Sequence, residues 1–260
     1  MYSVSNGGFF ILLLLVLVIS GYAQKVDCSD KPAWQDEFNS RGILSKNNWI
    51  TNEAYQLAMQ SDSRFSFQQK GGKLNITLIS QGKPTVNFLS NIYSTYKNRM
   101  KYGKIEVRAK VPIAKGIWPG IWLRPTRGLK VDVSGEIDLM EWISCFDKHR
   151  FQSTFHLWGN FNGKKNNHTQ YAKAYKNKGF DITKYHIYSA EWDSEKIIIR
   201  VDKHLVGIWY AKDYPLWPFD YTYELVLDVG YGGWGASCGY DLSKLPQTMK
   251  IDWVRYYKLK

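Results

Sequence analysis

Cysteine is scarce: Cys28, Cys145 and Cys238 are the only three in 260 residues. That excludes a disulfide-stapled miniature scaffold, and neither spacing nor neighbours suggest a metal cluster or a catalytic thiol. In an oxidising compartment the three allow one bridge and one spare thiol, with three pairings open. Helical periodicity is missing beyond the N-terminus, which excludes a helical bundle or coiled coil. Internal repeats, low-complexity tracts and composition shifts that would mark a linker are also missing. Long apolar runs are lacking too. The unbroken run Phe9 to Ile19 is too short to span a bilayer as a helix. Acidic residues are outnumbered, 23 against 35 basic, for a net charge of +12. The lysines are scattered and no arm or helix concentrates them, so a nucleic-acid partner is not indicated, whereas an acidic polymer is compatible.

What is present points outward from the cell. The apolar run is followed by Gly21-Tyr22-Ala23, small residues where signal peptidase reads, so residues 1–23 are expected to be a signal peptide. The n-region carries no Lys or Arg, only the terminal amine. Residues 24–260 would form one secreted, extracellular domain, with no membrane partner after cleavage and a monomer expected. Two sequons, Asn75-Ile76-Thr77 and Asn167-His168-Thr169, agree with export and would make a glycoprotein in a eukaryote. Aromatic residues make up 16% of the chain, including 11 Trp and 18 Tyr.

Short alternating runs separated by turn residues dominate this domain. Ser63 to Phe67, Lys73 to Ile79, Gly103 to Val111, Ile187 to Trp192, Lys196 to Val201, Tyr223 to Leu227 and Met249 to Tyr257 all read as strands. Asp202-Lys203-His204 reads as a hairpin turn. Many short strands in one chain of this size predict an all-β fold, a β-sandwich of jelly-roll type with a concave cleft.

Acidic chemistry concentrates in Gly135-Glu136-Ile137-Asp138-Leu139-Met140-Glu141-Trp142. Side chains alternate along a strand, so Glu136 and Asp138 share a face while Ile137 and Leu139 point into the core. Strict alternation would bury Glu141, but a β-bulge shifts the phase and returns it to the acidic face. Alternation also sends Trp142 to the core. Average residue usage produces such a triplet in about one chain of this length in twenty, so the triplet alone only suggests a site.

The surrounding order is more specific. Gly116-Ile117-Trp118-Pro119-Gly120-Ile121-Trp122 lies upstream, Tyr102 to Pro112 precedes it, and Trp34 to Asn39 opens the domain. Trp192, Val201-Asp202, Gly232-Gly233-Trp234-Gly235 and Ile251 to Tyr257 follow. Together they resemble glycoside hydrolase family 16 over nearly the whole domain. The bulged triplet is similar to the laminarinase, agarase and carrageenase branches. The resemblance implies a retaining endo-1,3-β-glucanase, with Glu136 as nucleophile, Glu141 as general acid/base and Asp138 hydrogen-bonded to Glu136 between them. Both glutamates are expected to face solvent in the cleft.

The resemblance further implies that His156 lies near the acid/base, that Trp118, Trp122 and Trp234 line the cleft, and that Asn52 contacts sugar. Catalysis would need no cofactor, but a structural calcium would sit on Glu37, a Gly72 carbonyl and Asp252, away from the cleft. Two positions depart from the branch: Asn91 stands where an arginine is usual, and Trp142 to Cys145 replaces a short glycine turn. Other readings are a sulfated or acidic galactan hydrolase favoured by the +12 charge, a wall transglycosylase, and a non-catalytic β-glucan-binding protein. Relatives of the last kind lack the catalytic glutamates, which this chain retains.

Overall fold

The computed structural model describes residues 25–42, 44–51, 65–79, 88–89 and 92–260. The expected signal peptide, Asn52 and Asn91 lie outside the described residues. The strands are β1 (Trp34–Asp36), β2 (Trp49–Thr51), β3 (Phe65–Gln69), β4 (Leu74–Leu78), β5 (Phe88–Leu89), β6 (Ile92–Ser94), β7 (Gly103–Lys110) and β8 (Ile117–Pro125). They continue with β9 (Val133–Glu141), β10 (Arg150–Phe161), β11 (Lys164–Lys176), β12 (His186–Trp192), β13 (Lys196–Val201), β14 (His204–Tyr210), β15 (Tyr223–Tyr231) and β16 (Gln247–Tyr257).

They form two antiparallel eight-stranded sheets. One runs β14-β13-β12-β7-β16-β4-β3, with β1 also on β16. The other runs β11-β10-β9-β8-β15-β6-β2, with β5 also on β15. This is the expected all-β jelly-roll sandwich. Helical structure among the described residues is confined to short 3-10 turns, and no described helix is long and apolar enough to cross a membrane.

The core lies between the sheets and follows from alternation. On β7, Ile105, Val107 and Ala109 are buried while Lys104, Glu106, Arg108 and Lys110 point away. On the facing sheet, Ile137 and Leu139 of β9 and Phe151, Phe155 and Leu157 of β10 enter the same core. Each fully buried aliphatic or aromatic side chain of this size contributes about 1.5–3 kcal/mol, so the sheets are held chiefly by this layer. The outer face of the second sheet is thereby free for polar groups. β15 is buried along its whole length, because it is central in its sheet and covered on both sides.

Most expected strands match within a few residues, and Asp202-Lys203 is a two-residue turn with Asp202 at φ 53°. The long hairpin β10–β11 is missing from the sequence-based list. Its turn is Asn162-Gly163, both at positive φ (52° and 70°), which is the strongest short-range hairpin signal a sequence offers.

The two carboxylates among the expected calcium ligands are engaged otherwise. Glu37 accepts hydrogen bonds from Arg255 Nε at 2.9 Å and Nη2 at 3.2 Å. Asp252 accepts from Lys73 Nζ at 2.8 Å and is also paired with Arg108. Both carboxylates are thus satisfied by cations, and a divalent ion would have to displace three charged side chains. The residues present do not fit calcium in this arrangement. The melting temperature is therefore expected to agree within about 1 °C between chelator and millimolar calcium, since only binding to the folded state would raise it. A rise of several degrees with calcium in a thermal melt would contradict this.

Candidate active site

The acidic strand β9 contains the bulge that its spacing demands. Against β10, Glu136 faces His156 and Asp138 faces Thr154, and then the register slips so that Glu141 faces Gln152. Against β8 it slips at the same place: Trp122 faces Asp138, whereas Ile121 faces Met140. The extra residue sends both Leu139 and Met140 into the core. Glu141 returns to the face that carries Glu136 and Asp138.

That face is less open than expected. Only Glu136 keeps appreciable access, with a quarter of its side chain exposed. Glu141 is buried at 8% and Asp138 at 2%. The expectation that both glutamates face solvent holds for Glu136 alone; the Trp118 indole lies against Glu141. Burial raises the pKa of all three, and their mutual repulsion adds to it. The three are not equivalent. Glu136 is drawn back down by His156 and Arg124. Glu141 has Asp138 and Glu136 raising it after burial, with only the Trp118 indole opposing. Both stay raised, Glu141 the more strongly, so Glu136 is the easier of the two to ionise.

A fourth carboxylate belongs to the group. Asp228 of β15 lies opposite Gly120 of β8, and burial pushes its pKa up to about 7. Its Oδ2 accepts from Trp122 Nε1 at 2.9 Å. Gly120 leaves the room: a Cβ there would stand 2.7 Å from Asp228 Oδ1. Asp228 raises Glu136, Asp138 and Glu141 electrostatically.

His156 is in the group, but against the opposite partners from those expected. Its Nε2 is 2.9 Å from Asp138 Oδ2 and 4.0 Å from Glu136 Oε1, so it attends the Glu136 end of the row. The partner of Asp138 Oδ2 is thus the imidazole and not Glu136. His156 Nδ1 lies 2.9 Å from Nε2 of His168 on β11, a residue not singled out from sequence.

The three tryptophans are all at the site, half-buried. Trp118 Nε1 donates to Glu141 Oε1 at 3.1 Å. Trp234 sits in a 3-10 turn over Gly233–Ala236, its ring edge-on to Trp118 at 5.5 Å. Trp142 is in the core, as alternation predicts. The segment after Glu141 is tied to the Trp234 loop by the Cys145–Cys238 disulfide and by Ser144 Oγ donating to the Gly235 carbonyl at 2.8 Å. Cys28 is the spare thiol.

Asp228→Asn removes a negative charge that raises both glutamates, so their pKa values should fall. Asp228 ionises only near 7, so the effect should be concentrated on the basic limb of the pH–activity profile, which moves to lower pH. An unchanged basic limb in that profile would show that Asp228 is not coupled to the acid.

The model of glycosyl hydrolases family 16 matches residues 45–255. The keratan-sulfate endo-1,4-beta-galactosidase of Sphingobacterium multivorum is 31% identical over 242 residues, covering 87% of this chain and 54% of that protein. The chain thus spans about half the length of that relative. The beta-glucanase of Rhodothermus marinus is 27% identical over 265 residues, covering 89% of this chain and 88% of that one. The solved catalytic domain of an endo-1,3-beta-glucanase (laminarinase) from Thermotoga petrophila RKU-1 superposes with a TM-score of 0.70 at 25% identity, covering 90% of this chain and 99% of that one. A buried carboxylate row on a jelly-roll sheet and a family match over most of the chain lead to one assignment: the chain belongs to glycosyl hydrolase family 16.

Proposed function

We propose that the chain is a secreted, retaining endo-hydrolase of β-1,3-glucan that acts by double displacement. The observation that carries the mechanism is the asymmetry within the acid row. Glu136, steadied as a carboxylate by His156 and Arg124, attacks the anomeric carbon. Glu141, held protonated by burial and by its acidic neighbours, gives its proton to the departing glycosidic oxygen. A covalent glycosyl–Glu136 ester results. Glu141, now ionised, takes a proton from water, and that water's oxygen attacks the anomeric carbon and frees Glu136. Asp138 keeps Glu141 raised by its proximity, and Asp228 reinforces it from β15. Trp118, Trp122 and Trp234 offer apolar ring faces to the C–H faces of pyranose rings, and Asn52 is proposed as a polar sugar contact.

The β-1,3-glucan choice leans on the likeness to the Thermotoga laminarinase domain and the Rhodothermus beta-glucanase. A second reading, hydrolysis of a sulfated galactan, has its own support in the net charge of +12 and in the keratan-sulfate-cleaving relative. Incubation with laminarin, mixed-linkage glucan, agarose, carrageenan and keratan sulfate, read by reducing ends and product sizes, separates the two. Laminarin should be cut to short oligomers. Cleavage of a sulfated galactan with laminarin left intact would replace the first reading by the second.

Glu136→Gln and Glu141→Gln are nearly isosteric and should each leave below about 1% of wild-type turnover with the fold intact. Asp138→Asn should be severely but less completely impaired. Retention of more than a few per cent by either glutamine variant would remove that residue from the mechanism. The first-formed product should be the β anomer, and proton NMR early in turnover showing the α anomer would contradict a retaining pair.

A further inference from the structure

The hairpin β10–β11 carries the site face past the acids to the edge of the sheet. On β10 the residues sharing that face are Gln152, Thr154, His156 and Trp158, since Phe151, Ser153, Phe155 and Leu157 are buried beneath. Trp158 is the next step outward from His156, and 44% of it is exposed. Single exposed aromatics are ordinary on protein surfaces. This one differs in being held flat.

Its indole lies on the imidazole of His168, with ring centroids 3.7 Å apart and planes within 13°. The two residues are directly opposite in register. The His168 ring is in turn within 14° of the His156 ring, to which it is joined at 2.9 Å between nitrogens. An unbroken line of contacts therefore runs from Asp138 through His156 and His168 to Trp158. The backbone after the indole is fixed as well. Gly159 has φ 140°, and a Cβ there would collide with the Asp132 carbonyl oxygen and stand 2.8 Å from Val133 Cα. Only glycine permits this close approach of β10 to the start of β9. A polar side chain lies beside the stack: Gln170, exposed on β11 and opposite His156.

We infer that Trp158, backed by His168, is a stacking platform for a further pyranose unit of the polysaccharide, on the β10–β11 side of the acids. One indole face is taken by the imidazole, and 44% of the residue stays exposed to solvent. An open, immobilised aromatic face suits the C–H face of a sugar ring and costs little side-chain entropy on binding. The exposed amide of Gln170 supplies a donor and an acceptor for hydroxyl groups. The inference rests on reading the acid row as a glycoside hydrolase centre, and it adds a binding residue two positions along the strand from His156.

The test uses a β-1,3-gluco-hexaose as probe. In the inactive Glu136→Gln background, adding Trp158→Ala should weaken hexaose binding about tenfold by calorimetry, and Trp158→Tyr should recover most of it. With Glu136 intact, Trp158→Ala should show its loss in KM rather than in kcat. Unchanged affinity in the alanine variant would overturn the platform. So would a fall in kcat at constant KM, which would mean that Trp158 acts only by steadying His156. If the wild type leaves the hexaose uncut, the β-1,3-glucan reading fails independently. The same comparison is then made on an oligomer of whichever polysaccharide the wild type does cleave.

Discussion

Glu136, Asp138, Glu141 and Asp228 are crowded onto one mostly buried patch of a single sheet face. Four carboxylates at such range cannot all ionise, because each charge costs desolvation and repels its neighbours. That frustration is what the rest of the molecule maintains. Relieved evenly, it would give four neutral, inert acids. Relieved unevenly, with His156 and Arg124 acting on Glu136 and none of that relief reaching Glu141, it leaves Glu136 the more readily ionised of the two. The hydrophobic layer under β9 keeps the patch from relaxing: Ile137, Leu139 and Met140 are all fully buried beneath it.

The tryptophans serve this arrangement as hydrogen-bond donors as much as apolar surface. Trp118 holds Glu141 and Trp122 holds Asp228, each through its indole N–H. Far from the site Trp49 does the same for Asp36, at 2.8 Å. An indole N–H satisfies a carboxylate oxygen without bringing a formal positive charge, so it orders the acid while leaving its proton affinity largely to burial. The disulfide adds a second restraint. It ties the segment leaving Glu141 to the loop of Trp234, so the wall of the cleft is covalently linked to the strand that carries the acids.

Much of this was legible in the sequence because alternation with a period of two is a strong constraint. The spacing of Glu136, Asp138 and Glu141 required a bulge, and the register slips where it must. Asp228 was hidden because β15 is covered on both faces, so its residues read as a continuous strand with no alternation to mark one side chain as facing the site. The hairpin β10–β11 was hidden although Asn162-Gly163 announces it, because its outer strand is polar on both faces and has no apolar period. Asp228, His168 and Trp158 were missed together for these reasons. The calcium expectation met a different obstacle. Whether Glu37 and Asp252 are free to bind a cation depends on which basic side chains the fold brings beside them, and Lys73, Arg108 and Arg255 are brought there by strand pairing distant in sequence.

The central claim is that Glu136 becomes covalently bonded to the sugar while Glu141 only exchanges protons. Incubation with an activated 2-deoxy-2-fluoro glucoside, whose intermediate is slow to hydrolyse, followed by peptide mass spectrometry, tests this directly. The account predicts one added glycosyl mass on the peptide containing Glu136, at that residue, and none in Glu136→Gln. A label on Glu141, or on Asp228, would contradict it.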